Sequence, residues 1–333
     1  MYILEKLVEH VLSFFRFDRV MEIYHTKGLD ALYSFDGITS IILLLMPIFL
    51  VIEIIRSVFI LKKGVRAFVV PILIDGFNRI IGRFVSLSVG AYCIALFRPF
   101  APFQTTFTWY WFVYAYIIWE FGHFSYHYLS HKVRFFWCLH STHHAPEEMN
   151  MSVSYSHFFL EYTYSDFIRT SISILLGVNP IMFAMIVTID WIWAEFNHIS
   201  ENTLKKARLG ILGNFILTPS HHRVHHSRND LYLDKNFGNL LNIWDKVFNT
   251  YQDELKEVKP EYGITLKINS RSFWQVYFGE TIELVKDVYK AKSLKHKLLY
   301  IVMPPGWKPT EEIKAEQRQE AEKPVAVASD NDY

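Results

Sequence analysis

The chain has 333 residues, enough for one large domain or two small ones. Hydrophobic residues make up 51% of it, which is high for a soluble protein, and the net charge of +1 gives no indication of nucleic-acid binding. Its two cysteines, Cys93 and Cys138, are far apart in sequence, which argues against a secreted, disulfide-stapled fold.

The N-terminal part of the chain predicts contact with a membrane. Residues 1–37 mix charged and aromatic side chains, a composition typical of helices that lie on a membrane surface. Residues 38–61 are long and apolar enough to span a bilayer, and Glu53 and Arg56 near the end are expected to pair or snorkel. The basic residues at 62–66 predict that this end is cytoplasmic.

Three more apolar segments follow. Residues 68–97 contain Asp75, Arg79 and Arg83, four apart, a polar stripe that must face protein or water inside a membrane. Residues 105–122 are rich in Trp and Tyr, as at a membrane interface. Residues 167–194 fit either a hairpin that returns to the same side or two short half-spans.

These segments predict an all-α fold: a multi-pass membrane helical bundle of about four spans or half-spans, with a cytoplasmic helical cap that carries a His-rich dimetal site. We divide the chain into interfacial helices at 1–37, a membrane-embedded domain at 38–270, a C-terminal helical segment at 271–309 and a disordered tail at 310–333.

Histidine spacing is the strongest functional signal. One pair is four residues apart and two triplets repeat the pattern His-x-x-His-His, so each set lies on one face of a helix. Imidazole suits iron, zinc, copper or nickel, and eight imidazoles are too many for one ion, which predicts a two-metal centre. A structural zinc site is a weak competitor because it usually needs cysteine ligands. The eight residues are His127, His131, His140, His143, His144, His222, His225 and His226.

The order of these histidine boxes among hydrophobic segments resembles the fatty acid hydroxylase and sterol desaturase superfamily, closest to its alkylglycerol monooxygenase-like branch. The strongest matching runs are TPSHHRVHHSRN at 218–229 and DKNFGNLLNIWDKVFNTY at 234–251. Members are integral membrane, non-heme diiron enzymes that use O2 and two electrons to hydroxylate or desaturate lipids. The resemblance implies that the eight histidines bind two Fe ions and that His198, near the end of the fourth apolar region, is a ninth ligand.

The resemblance also implies residues around the ligands. Imidazoles leave the charge of two iron ions uncompensated, so nearby polar groups are expected to orient the rings and offset that charge. His123 is expected to support the ligands rather than join them, and His157 is a candidate for lining the substrate tunnel. The supporting candidates are Glu120, Asn150, Glu195, Asn197, His221 and Asp234.

The expected function is hydroxylation of a membrane lipid with O2, and sterol or fatty acid desaturation is the alternative within the superfamily. The electron donor is left open, and a separate reductase chain is expected. Lys132 stands where ether-cleaving relatives carry an acidic residue, so ether cleavage is not assigned. The expected location is the bacterial inner membrane or the endoplasmic reticulum. Two alternatives from other classes are a His-rich membrane metal transporter and a b-type heme protein.

Overall fold

The computed structural model describes residue 6 and residues 17–313, and of residues 80–87 it describes only the backbone. This part of the chain is helical and contains no β-strand, which confirms the all-α expectation for the described residues. The α-helices are α1 (Phe17–Lys27), α2 (Phe35–Ile55), α3 (Arg66–Phe97), α4 (Trp109–Lys132), α5 (Arg134–His144), α6 (Phe159–Leu175), α7 (Pro180–Asn197), α8 (Pro219–His225), α9 (Ile243–Val247), α10 (Phe273–Lys290) and α11 (Leu294–Val302).

Helix α2 coincides with the first predicted span. The Ser34 side chain caps its N-terminus by accepting a hydrogen bond from the Gly37 N–H at 3.2 Å. A π turn, Arg56–Ile60, extends the helix at its other end. Within the described part of the chain, Phe35–Ile60 is the one helix long and apolar enough to cross a membrane. The predicted number of crossings stays a prediction.

The expected contact between Glu53 and Arg56 is not formed. Glu53 is buried and accepts hydrogen bonds from the backbone N–H groups of Met151 and Ser200, at 2.8 and 2.7 Å. Arg56 donates to the carbonyl of Asn202 instead. The reason is that buried backbone N–H groups outside regular helices need an acceptor, and a carboxylate can serve two of them.

Helices α3, α4 and α6 form the central scaffold. Helix α6 packs along both α3 and α4, and Gly122 of α4 allows the close approach, since a Cβ there would lie 3.1 Å from Arg169 Cα. On α3, Asp75 and Arg79 pair at 2.7 Å, whereas the side chain of Arg83 lies outside the described residues.

Helices α6 and α7 occupy the apolar region predicted at 167–194. A short turn joins them at Gly177, whose φ of 76° suits glycine and brings the turn against the carbonyl of Phe103. The outer ends of the hairpin lie close together, because both of them contact His143 of α5. His157, two residues before α6, stacks on it with ring centroids 4.3 Å apart, and Nε2 of His198, which follows α7, is 3.2 Å from its Nε2. The two ends of the hairpin therefore lie near each other, and how this region sits in a membrane stays a prediction.

The C-terminal segment packs on α5. Arg134 of α5 pairs with Asp287 of α10 at 2.7 Å. The C-terminal helical segment predicted at 271–309 contains two helices, α10 and α11. The Ser293 side chain accepts from the His296 N–H and begins the second helix. Residues 310–313 of the predicted tail are helical. Residues 314–333, and most of the predicted interfacial segment before Phe17, lie outside the described residues.

Candidate metal centre

Helices α4 and α5 supply the first five candidate ligands. His127 and His131 are one turn apart at the end of α4, and both side chains are buried. Val133 then interrupts the helix, so α5 starts in a new direction. His140, His143 and His144 end α5 and are also buried.

Helices α7 and α8 supply the other four. His198 is the C-terminal cap of α7. Helix α8 begins at Pro219 behind a capping box in which Thr218 and His221 hydrogen-bond each other's backbone. His222 and His225 lie on the buried face of α8, with His226 at its end.

The nine histidines form two groups. Within each group, one ring nitrogen of every residue lies within 4.8 Å of the others. The five-histidine group contains His127, His131, His140, His144 and His225. The four-histidine group contains His143, His198, His222 and His226.

The two groups adjoin each other. The rings of His144 and His226, one from each group, are stacked with centroids 4.4 Å apart. Within the four-histidine group, the ring centroids of His143 and His226 are 4.5 Å apart. Within the five-histidine group, those of His144 and His225 are 4.7 Å apart. Each sequence triplet therefore contributes to both groups, an arrangement suited to two neighbouring ions.

Backbone carbonyls fix the orientation of several rings. Nδ1 of His127 lies 2.8 Å from the carbonyl of Phe237, and Nδ1 of His225 lies 2.8 Å from that of Lys235. His198 bonds in the same way to Ala194 at 2.7 Å. A carbonyl only accepts, so each Nδ1 carries the proton and each Nε2 keeps a lone pair for a metal.

The inward-facing Nε2 atoms fit a bound cation. Nε2 of His140 is 3.0 Å from Nε2 of both His127 and His144. A metal–imidazole bond of ~2.1 Å places ligands at right angles ~3.0 Å apart. The Nε2 atoms of His131 and His225 are buried without any hydrogen-bond partner in the described structure. Nδ1 of His127 faces a carbonyl and Nδ1 of His140 faces the Glu161 carboxylate, so both Nε2 atoms carry lone pairs, which repel at this distance unless a positive charge lies between them.

Protons are poor candidates for that charge. Burial lowers the pKa of His131 to about 4, although Asp234 opposes the shift. Burial likewise lowers the pKa of His198 to about 3. Both imidazoles, which lie outside the predicted spans, are therefore neutral near pH 7, the form that binds metal.

A buried carboxylate that the sequence reasoning missed lies beside the five-histidine group. Glu161, 2% exposed, accepts from Nδ1 of His140 at 2.5 Å and from Nδ1 of His157 at 2.9 Å. Its position four residues after His157 was the available signal, because both would lie on one helical face.

His157 is half-buried and stacks on His143 with ring centroids 4.3 Å apart. It therefore lies against a candidate ligand, and the tunnel role suggested for it remains a prediction. His123 is in neither group, and its Nδ1 lies 3.5 Å from Asp190.

Asp234 and His221 occupy different positions relative to the groups. Asp234 Oδ1 lies 3.3 Å from His131 Nδ1, as expected for a residue that orients a ligand. His221 faces away, with Nε2 close to Tyr251 and Asp253, and it serves the cap of α8.

Three other expected supporting residues, Glu120, Asn150 and Asn197, hydrogen-bond backbone groups in the described structure. Glu120 accepts from the N–H groups of Asn239 and Leu240, and Asn150 accepts from that of Ser152. Asn197 donates to the carbonyl of Asn239. The physical reason is again that buried backbone groups in irregular segments need partners, so these side chains hold the chain that bears the ligands. Glu195 is buried beside Tyr155.

Comparison with known proteins gives consistent matches. Residues 112–250, which contain all nine histidines, match the Fatty acid hydroxylase family. The alkylglycerol monooxygenase of Homo sapiens is 31% identical over 228 residues, 68% of this chain and 49% of that protein. That of Danio rerio is 31% identical over 208 residues, 62% of this chain and 44% of that protein. The ornithine lipid hydroxylase OlsE of Rhizobium tropici is 29% identical over 156 residues, 46% of this chain and 45% of that protein.

The chain spans about half the length of the curated relatives it matches. No solved structure matches it. The family match and the two buried histidine groups concern the same segment. The chain belongs to the fatty acid hydroxylase and sterol desaturase superfamily, in its alkylglycerol monooxygenase-like branch.

Proposed function

We propose that this chain is a multi-pass membrane enzyme that binds two iron ions and hydroxylates a lipid with O2 and two externally supplied electrons. The observation that carries the proposal is the pair of adjoining, buried histidine groups within a fatty acid hydroxylase domain. Two relatives are named for lipid hydroxylation or alkylglycerol oxygenation, which supports a lipid substrate. Desaturation is the alternative outcome of the same chemistry.

The nine histidines fit iron by donor type and by geometry. Imidazole nitrogen is a good ligand for iron, and the buried Nε2 atoms without hydrogen-bond partners support a bound cation. When bound, the iron ions supply the reactivity towards O2 and unactivated C–H bonds that protein side chains lack.

The residues of the chain have three tasks in this proposal. The nine imidazoles hold the metal ions as neutral ligands. Glu161 and Asp234 orient His140 and His131 and add negative charge beside an uncharged ligand set. The burial of the groups excludes water, so that the reaction is confined to a substrate C–H bond.

We also propose that α2, α3, the N-terminal part of α4 and the α6–α7 hairpin lie in the membrane, with the histidine groups on the cytoplasmic side. The hairpin supports this arrangement because the residues just outside both of its ends, His157 and His198, contact His143. The basic residues after α2 support the orientation.

The test measures iron and product together. The full chain, purified in detergent, is analysed for iron by mass spectrometry, and lipids of cells with and without the protein are compared. We expect about two irons per chain, in line with two ligand groups. His143→Ala and His225→Ala, one from each group, should lose metal and product while still inserting in membranes. His25→Ala is the matched control because His25 is exposed on α1. An iron-free wild type, or full activity of either group variant, would contradict the proposal.

A further inference from the structure

Glu53 is a buried carboxylate near the end of α2, the one helix in the described part of the chain that is long and apolar enough to span a membrane. It is 3% exposed, and no described Lys, Arg or His forms an ion pair with it. Its two oxygens accept from two different backbone N–H groups: Oε2 from Met151 at 2.8 Å and Oε1 from Ser200 at 2.7 Å. Ionisable residues in such segments are rare and are often functional, so this contact needs a reason.

Both segments that Glu53 contacts lead to the four-histidine group. Met151 begins a 3₁₀ turn, and the Val153 carbonyl within that turn lies 3.2 Å from Nδ1 of His143. Ser200 is two residues beyond His198, at the end of α7. The Nε2 atoms of His143 and His198 are 3.2 Å apart. One side chain therefore connects the backbone next to two ligands of the same group.

Apolar packing supports the contact. Met46 and Leu50 of α2 lie in one buried cluster with Met151 and Ile199. Apolar contacts bring these segments together but are not directional. The two hydrogen bonds of Glu53 are directional, so they fix how the segments lie relative to each other.

Asp245 provides a natural comparison at the five-histidine group. This buried carboxylate accepts from the N–H groups of Phe237 and Gly238 at 2.7 and 2.8 Å. The carbonyl of the same Phe237 accepts from His127, a member of the five-histidine group. Each group thus has its own buried carboxylate acting through the backbone.

We propose that Glu53 is a positioning residue of the four-histidine group: it connects the end of α2 to the segments bearing His143 and His198, and so sets the metal affinity of that group separately from its neighbour. The proposal rests on the proposed function only in assuming that the groups bind metal. It implies that a residue of the membrane-facing helix controls one of two metal sites.

The test compares Glu53→Gln and Asp245→Asn with the wild-type chain in a chelator challenge, measuring iron per chain over time. The Gln amide has a single acceptor oxygen, so Glu53→Gln keeps one of the two hydrogen bonds and leaves the size of the side chain unchanged. We expect the affinity of one site to fall about tenfold, the lower end for residues that support ligands indirectly, while the other site keeps its iron.

Ligand variants identify which site changes. In a His222→Ala background, which already lacks the four-histidine site, Glu53→Gln should cause no further loss of iron. In a His131→Ala background it should weaken the remaining site, and Asp245→Asn should show the opposite pattern. Retention of both irons by Glu53→Gln, simultaneous loss of both, or failure of this variant to fold would each overturn the proposal. An iron-free wild type would instead refute the proposed function, and the same comparison would then be made with Co²⁺.

Discussion

Replacing Glu161 with Gln tests whether an anionic residue beside the five-histidine group is needed to hold metal. The carboxylate accepts from Nδ1 of His140 and of His157, whereas an amide oxygen can satisfy one donor and its NH2 would face the other. Removing such a partner of a ligand typically lowers metal affinity about 10- to 100-fold. This corresponds to about 1.4–2.8 kcal/mol, at 1.4 kcal/mol for each factor of ten.

The assay is a competition between the purified full chain and a chelator, with iron per chain measured at each chelator concentration. Glu161→Gln should release one iron at lower chelator concentration than the wild type, and His131→Ala should remove the same iron. Glu283→Gln is a suitable control, since this carboxylate pairs with Lys286 on α10, away from the imidazoles. If Glu161→Gln held both irons as tightly as the wild type, the carboxylate would have no role in metal affinity.

Three further predictions concern acidity, charge and backbone geometry. Burial lowers the pKa of His131 to about 4, so its ring resists protonation in the folded chain. In the unfolded chain the ring takes up a proton near the usual imidazole pKa of about 6.5. The metal-free protein should therefore lose stability as the pH falls from about 6.5 through about 4. A thermal midpoint that stayed constant over this range would contradict this. Asp234→Asn should lower metal affinity about tenfold, whereas Lys132→Ala should preserve it, because this variant keeps the contact between Asp234 and His131. Equal release of metal to a chelator by the two variants would contradict this prediction. Gly177→Ala should destabilise the hairpin by ~1–3 kcal/mol because φ is 76° and the new Cβ would lie 2.5 Å from a carbonyl oxygen; an unchanged melting temperature would exclude this strain.

The candidate ligands were predictable because their spacing carries the information. Residues three and four apart on a helix lie on one face, so the spacing within each triplet predicts that its three imidazoles point the same way, whatever the fold. His198 has no such pattern and was found only through the family resemblance. The way the nine histidines divide into groups of five and four was not predictable, because each triplet gives ligands to both groups.

The residues around the ligands were harder to predict. Asp234 was expected near a ligand and lies beside His131, but Glu161 was missed. Glu120 and Asn150 bind backbone N–H groups, a need created by irregular segments that no residue pattern reveals. Helix positions followed hydrophobicity well, whereas the break between α10 and α11 depended on a local cap at Ser293.

The orientation of the imidazoles has a consequence for the life of the protein in a cell. Since carbonyls already fix several rings, the Nε2 lone pairs of the metal-free chain point towards one another, and the iron ions of the proposed function would relieve this repulsion. Metal binding to such a site contributes directly to folding free energy. Iron starvation should therefore shorten the lifetime of the chain, and its cellular abundance should follow iron supply even when its synthesis is constant.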